Sequence, residues 1–377
     1  MGEHMKKLYS MPLAVASLIA FTVPAQAGQE IGALPAVKYD KAKAALGKRL
    51  FFDPRLSGDA AISCASCHNP ANQFSEGVDL GKAYPGTRHY RNAPTVVNTA
   101  AKKKAGVAWF WDGRIGTSLN DVTRNEITET IVMNMDMRMM QERLKQDPVY
   151  VKMFKDVGMG EPSNGKVRKL IPEYLKSLQS KNVPFDQGKL TASAKSGMAL
   201  FKGKAGCVSC HNGSLFTDGK AHILGVAENP KINSDPLRSV TMHAQYIFLG
   251  VQNNANLRFD VGHHVVTKKD DGSDYRSFMT PTLRELKYTA PYMHNGMLAT
   301  LDDVINFYNN GGGIDPNKDS LMKPLGLSKK EKGDLKAFLL ALSGDPLTGP
   351  EYVLSSSKIK DLSKPYAAIK NWRKTPN

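Results

Sequence analysis

Apolar residues recur at helical spacing in several stretches, and long segments rich in glycine, proline and polar residues separate them. Lys41 to Phe52 sets Ala44, Leu46 and Leu50 or Phe51 on one side, and Asp53-Pro54 stops the helix. Ser75 to Pro94 mixes Gly, Pro, Arg and Tyr with little periodicity and reads as a long loop. Ser118 to Lys145 has a helical pattern in two pieces, and beyond Asp147-Pro148 another helix runs through Val149 to Val157. Ile171 to Leu178 closes the first half as a helix, and Lys181 to Pro184 reads as a linker. Leu190 to Ser193 then opens a helix that continues from Ala194 to Phe201. Clusters of Gly, Asn and Asp from Asp218 to Phe278 predict loops with at most short strands. Thr300 to Asn309 and Ser328 to Ser343 read as helices, the second amphipathic through Leu335, Phe338, Leu339 and Leu342. Beyond Asp345-Pro346 an extended basic tail is expected along the surface.

The N-terminus changes the picture of where the chain works. Lys6 and Lys7 precede an apolar run from Met11 to Val23, and Ala25-Gln26-Ala27 is an A-x-A cleavage site. Some ~13 apolar residues are too few to span a bilayer, so the segment reads as an export signal over residues 1–27. No later stretch reads as a membrane span. The expected mature chain starts at Gly28 and is soluble and periplasmic; Met5 is an alternative start.

The four cysteines supply the chemistry. All of them fall in two CxxCH words, Cys64-Ala-Ser-Cys67-His68 and Cys207-Val-Ser-Cys210-His211. Two thiols three apart can form thioether bonds to one haem, and the adjacent histidine can then ligate the iron. A zinc site would not require a histidine directly after each pair. Each word follows a helix ending in Leu-Phe, and the first cysteines lie 143 residues apart, so one arrangement occurs twice. The expected fold is mainly α: two cytochrome c-like haem domains with long loops, pseudo-duplicated, over residues 28–180 and 181–345, followed by the tail 346–377.

Several further motifs resemble the bacterial di-haem cytochrome c peroxidases and their MauG-like relatives. They are Leu50-Phe51-Phe52-Asp53-Pro54-Arg55-Leu56-Ser57, Arg91-Asn92-Ala93-Pro94-Thr95, Phe110-Trp111-Asp112-Gly113-Arg114, Pro281-Thr282-Leu283-Arg284 and Thr289-Ala290-Pro291-Tyr292-Met293-His294-Asn295-Gly296. Together with the CxxCH words they run in the family's order from about residue 40 to 345. The resemblance implies two covalent c-type haems and an interfacial calcium ion, with peroxide reacting at the first haem and electrons exchanged at the second. His68 and His211 would be the proximal iron ligands, and Arg284 would belong to the cofactor-binding set. Trp111 would carry charge between the haems. Asn92, Thr289 and Pro291 match the calcium positions, where backbone and amide oxygens suit a hard cation.

On the far side of the second haem the resemblance aligns Tyr308 with the MauG-like ligand; Met293 or Met297 is the alternative. A phenolate is a hard anionic donor that stabilises oxidised iron. On the peroxide side the family's glutamate in a VEM-like stretch has no counterpart here. Its counted position falls near Ile131, which makes Glu129 the nearest acid, with Glu126 behind it and Asp136 several residues late. Such an acid would move a proton between the peroxide oxygens. His89 lies where peroxidases carry a removable distal histidine, at a shorter offset; a surface or propionate-bonding role is its alternative. Met133, Met137 and Met140 are expected on one helix face as core packing. Of the remaining histidines, His222, His243, His263 and His264 read as structural, and His294 belongs to a family motif.

Charge bears on the partner. The chain carries a formal +16, and losing residues 1–27 removes Lys6, Lys7 and Glu3 to leave +15. Four haem propionates would lower this to roughly +11, a field that attracts acidic partners. Export and the lack of any nucleic-acid motif set nucleic acid aside. The expected function is a periplasmic di-haem enzyme of MauG-like type: it reacts with hydrogen peroxide, forms high-valent haem and oxidises a protein partner by long-range electron transfer. The alternatives are a conventional cytochrome c peroxidase drawing on a small cytochrome or copper protein, and a non-enzymatic di-haem electron carrier.

Overall fold

The structure is a computed structural model that describes residues 30–349; the predicted export signal and most of the predicted tail lie outside them. The fold is mostly helical. Its longer helices are α1 (Lys41–Phe51), α2 (Leu119–Thr128), α3 (Met137–Lys145), α4 (Pro148–Asp156), α5 (Asn164–Ser177), α6 (Ala192–Lys202), α7 (Pro236–Phe248), α8 (Leu301–Asn309) and α9 (Lys329–Leu340). Two three-residue strands, β1 (Ala221–Ile223) and β2 (Ser277–Met279), pair antiparallel with His222 opposite Phe278. The helices start where short polar side chains take up the free N–H groups of a first turn. Asp40 accepts from Ala42 N and Lys43 N, and Thr300 and Ser328 each close a capping box with Asp303 and Glu331.

Three expectations are corrected. The segment Asp218–Phe278 holds the 13-residue helix α7, started by Asp235 and Pro236 at its N-terminus. The helix expected from Ile171 begins at Asn164, and Pro172 lies within it. The tail does not begin on the surface: Leu347 is buried, and its N–H donates to Gln73 Oε1 at 2.7 Å.

Two close helix pairs carry the haem words. α1 packs on α5 and α6 packs on α9. Each pairing depends on a glycine three residues before a Leu-Phe pair. A Cβ on Gly47 would lie 2.0 Å from Leu170 O, and one on Gly197 would lie 1.9 Å from Asp334 O. Only glycine lets the two backbones approach so closely. Each pair also closes on three aromatic rings. Phe51, Phe74 and Tyr174 meet with centroids 5.3 to 6.4 Å apart, and Phe201, Phe216 and Phe338 with centroids 5.2 to 6.2 Å apart. Burial of such rings contributes about 1.5–3 kcal/mol each, so these triads are principal anchors of the two cores. A third core, with Leu80, Tyr90, Met242, Tyr246 and Val261, seats α7 against the loop 80–92.

Of the clustered methionines, Met133 and Met135 lie in the turn before α3 and are buried, as is Met140 within α3. They pack the first core as expected, but not as one helical face. Arg143 lies 3.8 Å from Met135 Sδ and 3.6 Å from Met139 Sδ.

Candidate active site

Both CxxCH histidines are held alike. His68 Nδ1 lies 3.3 Å from Phe74 O and 3.1 Å from Pro94 O, and His211 Nδ1 lies 2.9 Å from Phe216 O, with the Pro281 carbonyl acting on it as well. Nδ1 faces carbonyl oxygens, so it carries the proton and donates, which leaves the Nε2 lone pair for a metal. Burial pushes both imidazoles below their ordinary pKa and keeps them neutral. The supporting turns match atom for atom. Phe74 and Phe216 both adopt positive φ, 58° and 56°. Thr95, after Pro94, donates to Gln73 O at 2.6 Å, and Thr282, after Pro281, donates to Leu215 O at 2.7 Å.

The four cysteines are of intermediate exposure and form no disulfide. Burial pushes the Cys64, Cys67 and Cys207 thiols up to about 12. Paired sulfurs and a free imidazole nitrogen in each CxxCH word are the set that a covalently attached haem requires.

In the neighbourhood of the first pair stands Glu126. It lies on α2 within electrostatic reach of Cys64 and Cys67. Burial pushes its carboxyl up to about 7, against the pull of Arg114 and with the push of Glu129. Glu129 sits at the end of α2, where its backbone carbonyl accepts from Val132, Met133 and Asn134. Asp136 is exposed: it caps α3 and pairs with Arg138 at 2.7 Å.

His89 stacks on Tyr90 with centroids 5.1 Å apart, and its Nδ1 accepts from Arg91 N at 3.0 Å. Burial, reinforced by Arg91 and Arg114, pushes it down to about 3. A neutral imidazole accepting through Nδ1 carries its proton on Nε2, so Nε2 is a donor in this arrangement.

In the neighbourhood of the second pair stands Tyr308 on α8. Burial pushes its phenol up, and the Cys207 and Cys210 sulfurs act in the same sense. Met293 is half-buried, and Met297 is exposed. Cys210, Asp218 and His222 also converge, but Cys210 belongs to the attachment pair. His222 bonds Asp319 at 2.6 Å and Asp218 at 2.9 Å, so the group is a buttressed histidine beside that pair.

Trp111 is packed between the segments of Asn92 and His294. Its Nε1 donates to Asn92 O at 3.0 Å, and its ring meets His294 edge to face at 6.5 Å. Beside it Arg91 binds Asp112 and, through Nε and Nη2, Asp260 at 2.5 and 2.7 Å; Arg114 adds a bond to Asp112 at 2.7 Å. Burial alone would raise the Asp112 carboxyl, but Arg91 and Arg114 outweigh it and hold it down at about 2. Asn92 donates from its backbone N to His294 O at 2.7 Å and from its side-chain amide to Val78 O at 2.6 Å. This bond brings Asn92 to the segment containing Thr289 and Pro291. Arg284, expected among the cofactor-binding residues, donates to Ser214 O, Gly32 O and Asp186.

Two cysteine–histidine anchors, held by matching turns, define a protein built to hold two covalent c-type haems. The chain belongs to the di-haem cytochrome c peroxidase family and is a haem peroxidase-type oxidoreductase. The profile described as di-haem cytochrome c peroxidase matches residues 41–194. Cytochrome-c peroxidase IdrP2 of Denitromonas iodatirespirans is 47% identical over 350 residues, covering 89% of this chain and 93% of that one. Methylamine utilization protein MauG of Methylorubrum extorquens is 35% identical over 312 residues, covering 81% and 79%. The fold matches a MauG-like protein associated with microbial copper homeostasis, with TM-score 0.69, 24% identity and coverage of 89% and 99%. It also matches the diheme peroxidase BthA from Burkholderia thailandensis, with TM-score 0.64, 22% identity and coverage of 87% and 92%. No helix among the described residues is long and apolar enough to cross a membrane.

Proposed function

We propose that this chain is an exported, periplasmic enzyme of MauG-like type, which reacts with hydrogen peroxide at the first haem and draws electrons from a protein partner through the second. The observation that carries the reading is Tyr308: a half-buried phenol on α8, where a methionine would give a softer ligand, lies close enough to Cys207 and Cys210 for their sulfurs to disfavour its ionisation. The haem irons, when bound, would supply the redox chemistry and the positive charge against which the Tyr308 phenol ionises. His68 and His211 present Nε2 from a fixed tautomer.

The proposed distal acid is Glu126 rather than Glu129. A carboxyl with a pKa near 7 can accept a proton from one peroxide oxygen and return it to the other. His89, with its proton on Nε2, is assigned to bracing the loop over the first haem and not to the iron. Trp111 holds the position between the haem sites. Its N–H is bonded to a carbonyl that cannot take the proton, so charge passing through the indole would remain balanced by the adjacent Asp112 and Asp260. A calcium ion at Asn92, Thr289 and Pro291 would tie the two halves, which the repeated glycine, aromatic and Pro-Thr arrangement supports as a duplicated pair divided near residue 180. The basic surface favours an acidic protein partner.

The conventional peroxidase is the second reading, favoured by the name of the relative at 47% identity. Family membership sets the pure carrier aside. Titrating the ferric protein with peroxide, with and without Tyr308→Met, separates the two enzymes. A MauG-like enzyme responds at both haems, and the substitution changes the second haem's spectrum and confines the response to the first. An unchanged second-haem spectrum in Tyr308→Met would overturn the ligand assignment.

A further inference from the structure

Arg284 and Glu285 are adjacent, each nearly inaccessible, and each braces the support of a different CxxCH histidine. Glu285 accepts three hydrogen bonds: from Gln73 Nε2 at 2.7 Å, from Ser180 Oγ, and from Gly344 N at 3.1 Å. Gln73 is also buried and fully engaged. Its Oε1 accepts from Leu347 N, and its backbone carbonyl accepts from Thr95. Gln73 and Phe74 are consecutive non-glycine residues at positive φ, 51° and 58°, a conformation that persists only where surrounding bonds hold it. The Phe74 carbonyl produced by that turn faces His68 Nδ1. Arg284 does the corresponding work on the other side. Its Nε donates to Ser214 O at 3.0 Å, and its guanidinium lies 5.0 Å from the Phe216 ring centroid, beside the carbonyl that faces His211.

We propose that Glu285 is a positioning residue for His68, acting through the Gln73–Phe74 turn, and that its neighbour Arg284 positions His211 through the Ser214–Phe216 turn. One dipeptide in the second half of the chain thereby sets the proximal geometry of both haems. The hydrogen bond on Nδ1 fixes the imidazole's orientation and basicity, so moving the turn alters the iron without touching it. The inference rests on the assignment of His68 and His211 as iron ligands.

The test uses the ferric holoprotein, with electron paramagnetic resonance and midpoint potentials resolved for each haem. In Glu285→Gln the new NH2 must oppose either Gln73 Nε2 or the donors Ser180 and Gly344, and turning the Gln73 amide over only sets its own NH2 against Leu347 N–H. The first haem's g-values and potential should shift while the second haem's stay fixed; Arg284→Lys should show the converse. The paired exchange Gln73→Glu with Glu285→Gln restores the pairing among residues 73, 285, 180, 344 and 347 at unchanged charge, giving up only the long 3.5 Å bond from residue 73 to Asp345 O, and should return the first haem to wild-type values even where Glu285→Gln alone fails to fold. A first haem unmoved in Glu285→Gln, or a folded exchange variant that does not return to wild type, would overturn the proposal. His68→Ala separates the underlying assignment: if it leaves the first haem's signals intact, the ligand reading fails whatever Glu285 does.

Discussion

Trp111 and His294 meet edge to face at 6.5 Å, and each is fixed by a backbone bond from the other half of the chain. Asn92 N donates to His294 O at 2.7 Å, and Met279 N donates to Trp111 O at 2.8 Å. Phe110 and Gly113 around the tryptophan, and Met293 and Gly296 around the histidine, all have positive φ. His294 is pushed down to about 3, chiefly by burial, and stacks on Phe278 at 3.6 Å, so it is a neutral ring wedged in place. Each ring thus follows one residue at positive φ and precedes another by two, and bonds from distant segments hold the two turns together.

Trp111→Phe keeps this packing and removes one hydrogen bond. The lost bond to Asn92 O should cost about 1 kcal/mol of stability. Covalent haem content and both ligand spectra should be retained, while electron exchange between the haems, followed by stopped-flow after peroxide addition, slows markedly. An unchanged exchange rate would remove Trp111 from the route.

The glycines beneath the haem words predict a pair of matched defects. Gly47→Ala and Gly197→Ala each drive a methyl into a backbone carbonyl of the partner helix, so neither neighbour can move aside by a rotamer change. Each should lower stability in denaturant titration by about 1–3 kcal/mol or more. Gly333→Ala in α9, where the added methyl meets nothing within 4 Å, should instead be neutral or stabilising by up to about 1 kcal/mol. Equal behaviour of all three would mean that close backbone approach does not hold these helix pairs.

Much of this was legible before the structure, because the helices that hold the haem words bury one face and expose the other. Lys41–Phe51, Leu301–Asn309 and Lys329–Leu340 were readable on that ground. Helix α7 was not, because it lies among clusters of Gly, Asn and Asp that read as loop; its outer face is also apolar, with Leu237, Val240, Ile247 and Phe248 42%, 66%, 67% and 75% exposed. The acid proposed for the first haem differs from the counted one for another reason. Counting from Trp111 leads to Glu129, but α2 ends at Thr128. A helical reading of the same residues points to Glu126, which is seven residues beyond Leu119 and three beyond Thr123, both buried on that face. The Arg284–Glu285 brace left no local pattern at all, since its partners lie up to 252 residues away.

Glu126 makes the sharpest pH prediction. Its carboxyl is pushed from an ordinary 4.5 up to about 7 because burial disfavours the anion. The fold therefore binds the proton more tightly than the unfolded chain does. Its contribution is neutral below the unfolded pKa, and a cost develops as pH rises from there to about 7 and is complete above that. Glu126→Gln removes the charge and keeps the shape, so above pH 7 the variant should melt at a higher temperature than wild type, and below pH 4.5 at the same temperature. Activity should move the opposite way. If the carboxylate is the base that takes the first peroxide proton, wild-type kcat/KM for peroxide rises with pH through about 7, and Glu126→Gln loses on the order of 10²–10⁴-fold and the pH step with it. Stabilisation at high pH without the loss of activity would leave Glu126 a buried acid with no part in the reaction, and loss of activity in Glu129→Gln instead would return the role to Glu129.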